Sequence, residues 1–208
     1  MKRNAVVLAL AAMGLLAGEA MAQQSPWLVR ARAVYVDPAN KSDAGTGALA
    51  GLPSDTIHVS SKTIPELDIS YFFTPNIAAE LVLTYPQKHD VSVNFGGIGK
   101  IGTVKELPPT LTVQYHFTPG AQFSPYVGAG VNYTNFSSVD LGDGVSLDHS
   151  SWGLALQAGL DFNINKQWSL NFDVKKVQMR SDLTVDGVKA STVKIDPWLI
   201  GVGVGYRF

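Results

Sequence analysis

The residues of this chain that could do chemistry are mainly charged and polar groups that recur at every second position of alternating segments. On the polar faces of these segments lie Arg30, Arg32, Glu66, Asp68, Glu80, Gln114, Asp161, Asp173, Lys175 and Arg207. If these segments are neighbouring strands, Arg30 and Arg32 can reach Asp68 and Glu80 at a similar depth. In a narrow interior such groups should pair across strands as a salt-bridge plug, and the alternative is a selectivity filter lining an open pore.

Other chemistry finds little support in the sequence. The chain has no cysteine, which excludes disulfides, thiolate metal sites and a cysteine nucleophile. The histidines at positions 58, 89, 116 and 149 stand singly on loops or strand ends, where a solvated side chain is expected rather than a metal ligand. Gly45-x-Gly47-x-x-Ala50 matches only the loosest dinucleotide fingerprint, and it falls in a loop. We therefore expect no cofactor, no metal and no enzymatic activity.

The N-terminus has the layout of an export signal. Lys2 and Arg3 precede an uncharged apolar run over 5–18, and Ala20-Met21-Ala22 supplies a small-residue cleavage site. Residues 1–22 are thus predicted to be a cleaved signal peptide, and residues 23–208 a single domain. Without Lys2, Arg3 and Glu19 the chain retains 14 basic and 16 acidic residues, a formal charge of −2. This balance gives no indication of nucleic-acid binding.

Eight segments of roughly 9 to 11 residues alternate apolar and polar positions, which is the length of a tilted membrane-crossing strand. They centre on residues 27–35, 66–73, 79–85, 106–117, 127–133, 152–162, 168–175 and 198–208. Short turns follow the second, fourth and sixth segments, and long polar or glycine-rich loops follow the first, third and fifth. The seventh returns through Asp186-Gly187, a strong hairpin signal. In the eighth, apolar side chains alternate with Gly201, Gly203 and Gly205.

Aromatic residues cluster where each apolar face ends, as in the two girdles of a membrane barrel. The pattern predicts an all-β fold: an eight-stranded antiparallel transmembrane β-barrel with short periplasmic turns and longer extracellular loops. Both termini should lie in the periplasm, and the loops near Lys41, His89 and Gly142 should lie outside. The alternative is a soluble sandwich or lipocalin-like barrel with its apolar faces inward.

Four short motifs resemble the outer membrane protein W (OmpW) family of Gram-negative bacteria. They are Leu107-Pro108-Pro109-Thr110-Leu111, PYVGAGVNY at 125–133, Asp196-Pro197-Trp198 and Gly205-Tyr206-Arg207-Phe208. The resemblance covers essentially the whole mature chain. Tyr206 and Phe208 also resemble the C-terminal signal read by the outer-membrane assembly machinery. The resemblance implies residence among outer-membrane lipids and passive uptake of small hydrophobic molecules. We expect the chain to be a monomer.

Two features of the sequence bear on how such uptake would work. Pro108 and Pro109 supply no N–H to a strand ladder, so they could open the wall sideways, or they could form a simple kink. Val34, Val82 and Leu199 are candidates for an apolar constriction, although Lys175 points to the same level and could snorkel upward. The alternative function is a pore-poor structural barrel or a surface receptor, for example for a bacteriocin or a phage.

Overall fold

The computed structural model describes residues 25–142 and 144–208, so the predicted signal peptide lies outside the described residues. Within these ranges no helix is long and apolar enough to cross a membrane. One short 3-10 turn spans Gly47–Leu49. The strands in chain order are β1 (Trp27–Asp37), β2 (Lys41–Ser42), β3 (Ile57–Val59), β4 (Lys62–Phe72), β5 (Ile77–Leu83), β6 (Gln87–Val93), β7 (Gly99–Leu107), β8 (Thr110–His116), β9 (Phe123–Asp140), β10 (Val145–Leu147), β11 (Ser150–Asn163), β12 (Trp168–Val177), β13 (Arg180–Val185), β14 (Val188–Lys194) and β15 (Trp198–Arg207).

Eight of these strands form a closed antiparallel barrel. The order around the barrel is β1, β4, β5, β8, β9, β11, β12 and β15. The first and last strands pair from Leu28↔Arg207 to Asp37↔Trp198, which closes the barrel. The predicted eight-stranded antiparallel β-barrel is therefore confirmed.

The outer and inner faces of the barrel differ as a membrane requires. Apolar side chains such as Leu111, Leu156 and Val202 are about half exposed on the outside. The residues before and after each of them in the strand point inward and are largely buried. Aromatic pairs mark the two rims, with Trp27 against Tyr71 at the short-turn end. Tyr35, Tyr85, Tyr133 and Trp152 mark the other rim, which we call the outer girdle. The apolar band between the rims is the membrane-spanning part.

Above the outer girdle the chain remains ordered in strands. The seven remaining strands prolong the barrel strands into an extension with its own apolar core, which includes Ile57, Val104, Phe136 and Met179. The long connections predicted at this end are present, and much of their length forms strands because apolar residues alternate there too. The Asp186-Gly187 turn is confirmed: both residues have positive φ, 49° and 79°, and they join β13 to β14.

The glycines of β15 let this strand lie close to its neighbours and to the bulky interior. A Cβ on Gly203 would lie 2.1 Å from the carbonyl oxygen of Ala31 on β1. A Cβ on Gly201 would instead lie 3.3 Å from side-chain atoms of Arg32 and Val34. The nearly side-chain-free face of the last strand thus makes room for the backbone of β1 and for the arginines that β1 sends inward.

The barrel wall has a discontinuity between β4, β5 and β8, at the level of the outer girdle. The β4–β5 ladder ends at Leu67↔Leu83, and the β5–β8 ladder ends at Val82↔Thr110. Pairing resumes above with Gln87↔Glu106 between β6 and β7, and with Val59↔Val91 between β3 and β6. Residues 84–86, which we call the unpaired segment, therefore have no ladder partner on either side. Pro86 in this segment has no N–H to donate.

Candidate functional site

The interior of the barrel at mid-depth is filled by ion pairs. Arg30 on β1 is fully buried and donates to Asp161 through Nε and Nη2, at 3.2 and 2.6 Å. Its Nη1 lies 2.7 Å from Oε2 of Glu80 and 3.0 Å from Oγ of Ser70. One guanidinium thus ties together four strands of the wall.

Arg32 and Lys175 continue this network toward the outer side. Nη1 of Arg32 lies 2.8 Å from Oδ2 of Asp68 and 3.2 Å from Oε1 of Glu66. Nζ of Lys175 lies 3.0 Å from the same Glu66 oxygen and 2.8 Å from Oδ1 of Asp173. Lys175 therefore does not snorkel toward the outside, because its charge is held within the network.

Neutral side chains complete the network. Gln157 donates to Glu80 and Asp173 at 2.8 and 2.7 Å and accepts from Gln114 at 3.1 Å, and the Tyr126 hydroxyl donates to Asp173 at 2.7 Å. We call the whole set the charge plug; its ionisable members are Arg30, Arg32, Glu66, Asp68, Glu80, Asp161, Asp173 and Lys175. All are less than a tenth exposed. Five carboxylates face three basic groups, so the plug carries two excess negative charges when all are ionised.

An apolar collar lies directly above the charge plug. Val34, Val36 and Ile64 pack together with Leu199. Val82 joins Val36, Ile64 and Leu199 in lining a cavity of about 20 Å³, the space open to the centre of a water-sized sphere. Three of the four residues proposed for a constriction thus lie at one level, and Lys175 belongs to the layer below. Met179 lines the same cavity and is also part of the apolar core of the extension.

The proline pair lies beside this cavity, but it does not interrupt the ladder with β9. Tyr133 N donates to Pro109 O at 3.0 Å, and pairing continues from Thr110↔Asn132 to Leu107↔Asn135. The prolines do not open the wall on this side, because the carbonyl group of Pro109 still accepts a hydrogen bond from β9. On their other side they face the unpaired segment, and Pro108 and Thr84 both line the cavity.

Three buried polar side chains at this level were not among the residues expected to line the lumen. They are Gln87 and His89 on β6 and Glu106 on β7, each at most 4% exposed. His89 Nε2 lies 3.3 Å from Glu106 Oε1. Burial raises the pKa of Glu106 to about 7 and lowers that of His89. Alternation along β6 could have indicated Gln87 and His89, but the predicted third segment ended before them.

The histidines differ from the expectation that all of them are solvated. His89 and His116 are buried, at 1% and 2% exposure, because inward positions of strands hold them. His116 stacks on Tyr126 with ring centroids 4.9 Å apart. Among the described residues no cluster of three or more potential metal ligands of the histidine, cysteine or carboxylate type occurs.

The last residues of the chain lie among the aromatic residues at the short-turn end of the barrel, which we call the inner rim. The Tyr206 ring lies 4.9 Å from Trp168 and 5.1 Å from Phe208, and Phe208 N donates to Trp27 O at 3.2 Å. Arg207 is partly buried, donates to Ser25 O at 2.9 Å and lies over the Phe72 ring. Recognition of Tyr206 and Phe208 by the assembly machinery stays a prediction.

Comparison with known proteins agrees with this architecture. The OmpW family profile matches residues 23–208. An uncharacterized outer-membrane protein of Sinorhizobium fredii, y4mB, is 45% identical over 88% of this chain and 80% of its own length. Outer membrane protein W of Escherichia coli is 34% identical over 99% of this chain and 100% of its own. The crystal structure of OprG from Pseudomonas aeruginosa superposes with a TM-score of 0.77 at 32% identity, covering 89% and 97% of the two chains. The chain is therefore a member of the OmpW family, an eight-stranded β-barrel of the bacterial outer membrane.

Proposed function

We propose that this barrel is a passive channel for small hydrophobic molecules, which it releases sideways into the membrane, and that it catalyses no reaction. The observation that carries the proposal is the juxtaposition of three features: an apolar-collared cavity, a filled charge plug beneath it and the unpaired segment beside it. A hydrophobic solute would reach the cavity through the apolar core of the extension. Met179, which lies at the boundary, has the flexibility to move aside.

The energetics of the two exits favour the lateral one. Passage straight down would separate buried ion pairs, and breaking one buried pair costs about 3–5 kcal/mol. The lateral exit displaces residues 84–86, which form no ladder hydrogen bonds. Their contact with β4 is a hydrogen bond from Thr84 Oγ1 to Pro65 O at 3.3 Å. A neutral hydrogen bond of this kind contributes about 1 kcal/mol.

Solute flux into proteoliposomes tests this function. The wild-type barrel should carry n-octane to an enclosed reporter faster than protein-free vesicles do, and should not carry a polar sugar. Pro108→Val with Pro109→Thr restores two N–H groups, of which that of residue 108 faces the unpaired segment and that of residue 109 faces β9, so octane flux per folded molecule should fall. Pro125→Val, in β9 near the inner rim, is the matched control and should leave flux unchanged. Octane flux equal to that of empty vesicles would refute the proposal.

A surface receptor role has one observation in its favour. Phe95 and Ile98 are exposed, at 45% and 56%, in the glycine-rich turn between β6 and β7. A bacteriocin or phage could dock on this tip. Replacing both residues by Ser should abolish sensitivity of the cells to such an agent without changing octane flux, whereas unchanged sensitivity would count against the receptor role.

The partners of the channel follow from the same proposal. We propose that it works as a monomer surrounded by outer-membrane lipids, since the exposed apolar band runs around the barrel. Its solutes are small and hydrophobic, and its assembly depends on Tyr206 and Phe208. Truncation of the final Phe208 should lower the folded fraction in cells, and normal folding of the truncated chain would refute the assembly role.

A further inference from the structure

We infer that the cavity above the charge plug is a recognition site for apolar molecules that carry one hydroxyl group, such as aliphatic alcohols and phenols. This inference rests on the proposed function, and it names the class of solute that the channel holds best. It arises from two residues that line the apolar cavity and each carry a buried acceptor atom without a hydrogen-bond partner in the protein.

The two acceptors belong to Gln87 and Glu106, which are direct cross-strand partners of β6 and β7 and both line the cavity. Gln87 Oε1 and Glu106 Oε2 are buried without a hydrogen-bond partner. The Gln87 amide orientation is fixed, because Nε2 donates to Tyr85 O at 2.9 Å. A buried acceptor without a donor is costly, so a donor brought by a ligand would be held favourably.

His89 determines which atoms remain acceptors. Its Nδ1 lies 2.7 Å from the carbonyl oxygen of Ser60, so Nδ1 must carry a hydrogen. Nε2 then faces Glu106 Oε1 at 3.3 Å, and one proton is needed between these two atoms. Whether that proton resides on the imidazole or on Oε1, Glu106 Oε2 remains an acceptor. The site therefore calls for a donor, whereas a carboxylate ligand would meet two acceptors.

The size and walls of the cavity fit a hydroxyl group on an apolar body. The volume of about 20 Å³ accommodates roughly one water-sized group, and so a hydroxyl, without movement of the walls. Val36, Ile64 and Val82 surround this space with apolar surface, and the unpaired segment adjoins it. An apolar tail would displace these side chains and extend toward the gap, away from the charge plug.

A pair of isomers that differ in the donor tests the inference. 1-Octanol and methyl heptyl ether have the same atoms, but only the alcohol donates a hydrogen bond. Each is titrated into the full mature barrel in lipid nanodiscs, and backbone amide shifts of Val36 and Val82 report occupancy against the solute concentration in the lipid. The alcohol should half-saturate the wild-type site at about fivefold lower concentration than the ether, the effect of one neutral hydrogen bond.

Variants assign this preference to the two acceptors. Glu106→Leu and Gln87→Leu should each reduce the difference between alcohol and ether, and the double variant should abolish it. Lys88→Leu, at an exposed position next to Gln87 that does not line the cavity, should keep it. Folding of each variant is checked by heat-modifiable gel mobility, and Gln87→Leu serves alone if Glu106→Leu does not fold.

Equal half-saturation by the two isomers in the wild type would overturn the inference. A preference for the alcohol that persists in both Gln87→Leu and Glu106→Leu would also overturn it. Octane flux into proteoliposomes separates this failure from failure of the channel itself. If octane passes while the isomers bind equally, the channel function stands and the hydroxyl site falls. If octane does not pass, the proposed function fails, and absence of any saturable shift with 1-octanol overturns the hydroxyl site as well.

Discussion

Replacement of Arg30 by Met tests the statement that the charge plug holds the barrel together. The substitution keeps much of the aliphatic volume of Arg30 but removes its contacts to Asp161, Glu80 and Ser70. Asp161 would retain the donor Asn171 at 2.8 Å. Glu80 would retain Gln157 at 2.8 Å and Arg32 at 3.4 Å.

The expected loss of stability depends on the hydrogen-bond donors that Asp161 and Glu80 retain in this variant. Removing one partner from a buried ion pair costs about 3–5 kcal/mol. Because both carboxylates keep another donor, we expect Arg30→Met to lower the free energy of unfolding by about 3 kcal/mol, at the lower end of that range. Adding Asp161→Asn removes the uncompensated charge, so the double variant should be more stable than Arg30→Met alone.

The assay is urea unfolding of the barrel in phospholipid vesicles, followed by tryptophan fluorescence. Arg180→Met is the control, since Arg180 is half exposed and pairs with Asp196 outside the membrane-spanning part. An exposed pair of this kind contributes about 0–1 kcal/mol. If Arg30→Met cost no more than Arg180→Met, the plug would not be a stabilising element and the reasoning would be wrong.

Three further predictions use the same unfolding assay. Gly203→Ala should cost about 1–3 kcal/mol because its Cβ would overlap the β1 backbone, whereas Gly201→Ala, which meets only side chains, should cost clearly less; equal losses would refute the close-approach argument. Leu111→Arg on the lipid face should cost about 2–4 kcal/mol and Leu111→Val much less, and tolerance of Arg would contradict the membrane placement. Burial raises the pKa of Glu106 from 4.5 to about 7, so the folded chain binds a proton there that the unfolded chain has released. The contribution of Glu106 to stability should therefore fall as pH rises from 4.5 through 7, against the opposite contribution of His89. Glu106→Gln should remove this downward contribution from the profile; an unchanged slope in the variant would show that Glu106 does not titrate in this range.

The fold could be predicted from the sequence because each strand of a membrane barrel alternates residues that face lipid with residues that face the interior. The apolar face of β15 is continuous while its other face is glycine, and only lipid on one side and a filled interior on the other explain both. The inward charges followed from the same alternation. The pairing of Arg30 and Arg32 with Glu80 and Asp68 also followed from the strand order. The pairing of Arg30 with Asp161 did not, because it joins strands that are distant in the chain.

The features that the sequence did not reveal lie above the outer girdle. There the inward positions change from even to odd between Val82 and Gln87, which places Gln87 and His89 inside. Counting alternation through this point assigns them to the wrong face. The proline pair lies at the level of this interruption, and the interruption is on the side of the unpaired segment, where the ladders of β5 and β6 leave residues 84–86 without partners.

Lateral release is tested most directly by fixing the unpaired segment to β4. The chain has no cysteine, so Pro65→Cys with Tyr85→Cys introduces one possible disulfide across the gap, where Thr84 already contacts Pro65. Leu67→Cys with Leu83→Cys is the control, because these residues are partners in the intact ladder. Octane flux into proteoliposomes is measured for each pair oxidised and reduced. Lateral release predicts that octane flux through the barrel oxidised at positions 65 and 85 falls to the protein-free background and recovers on reduction. Flux through the barrel with the 67–83 pair should be the same in both states. Full flux through the completely oxidised 65–85 barrel would contradict it.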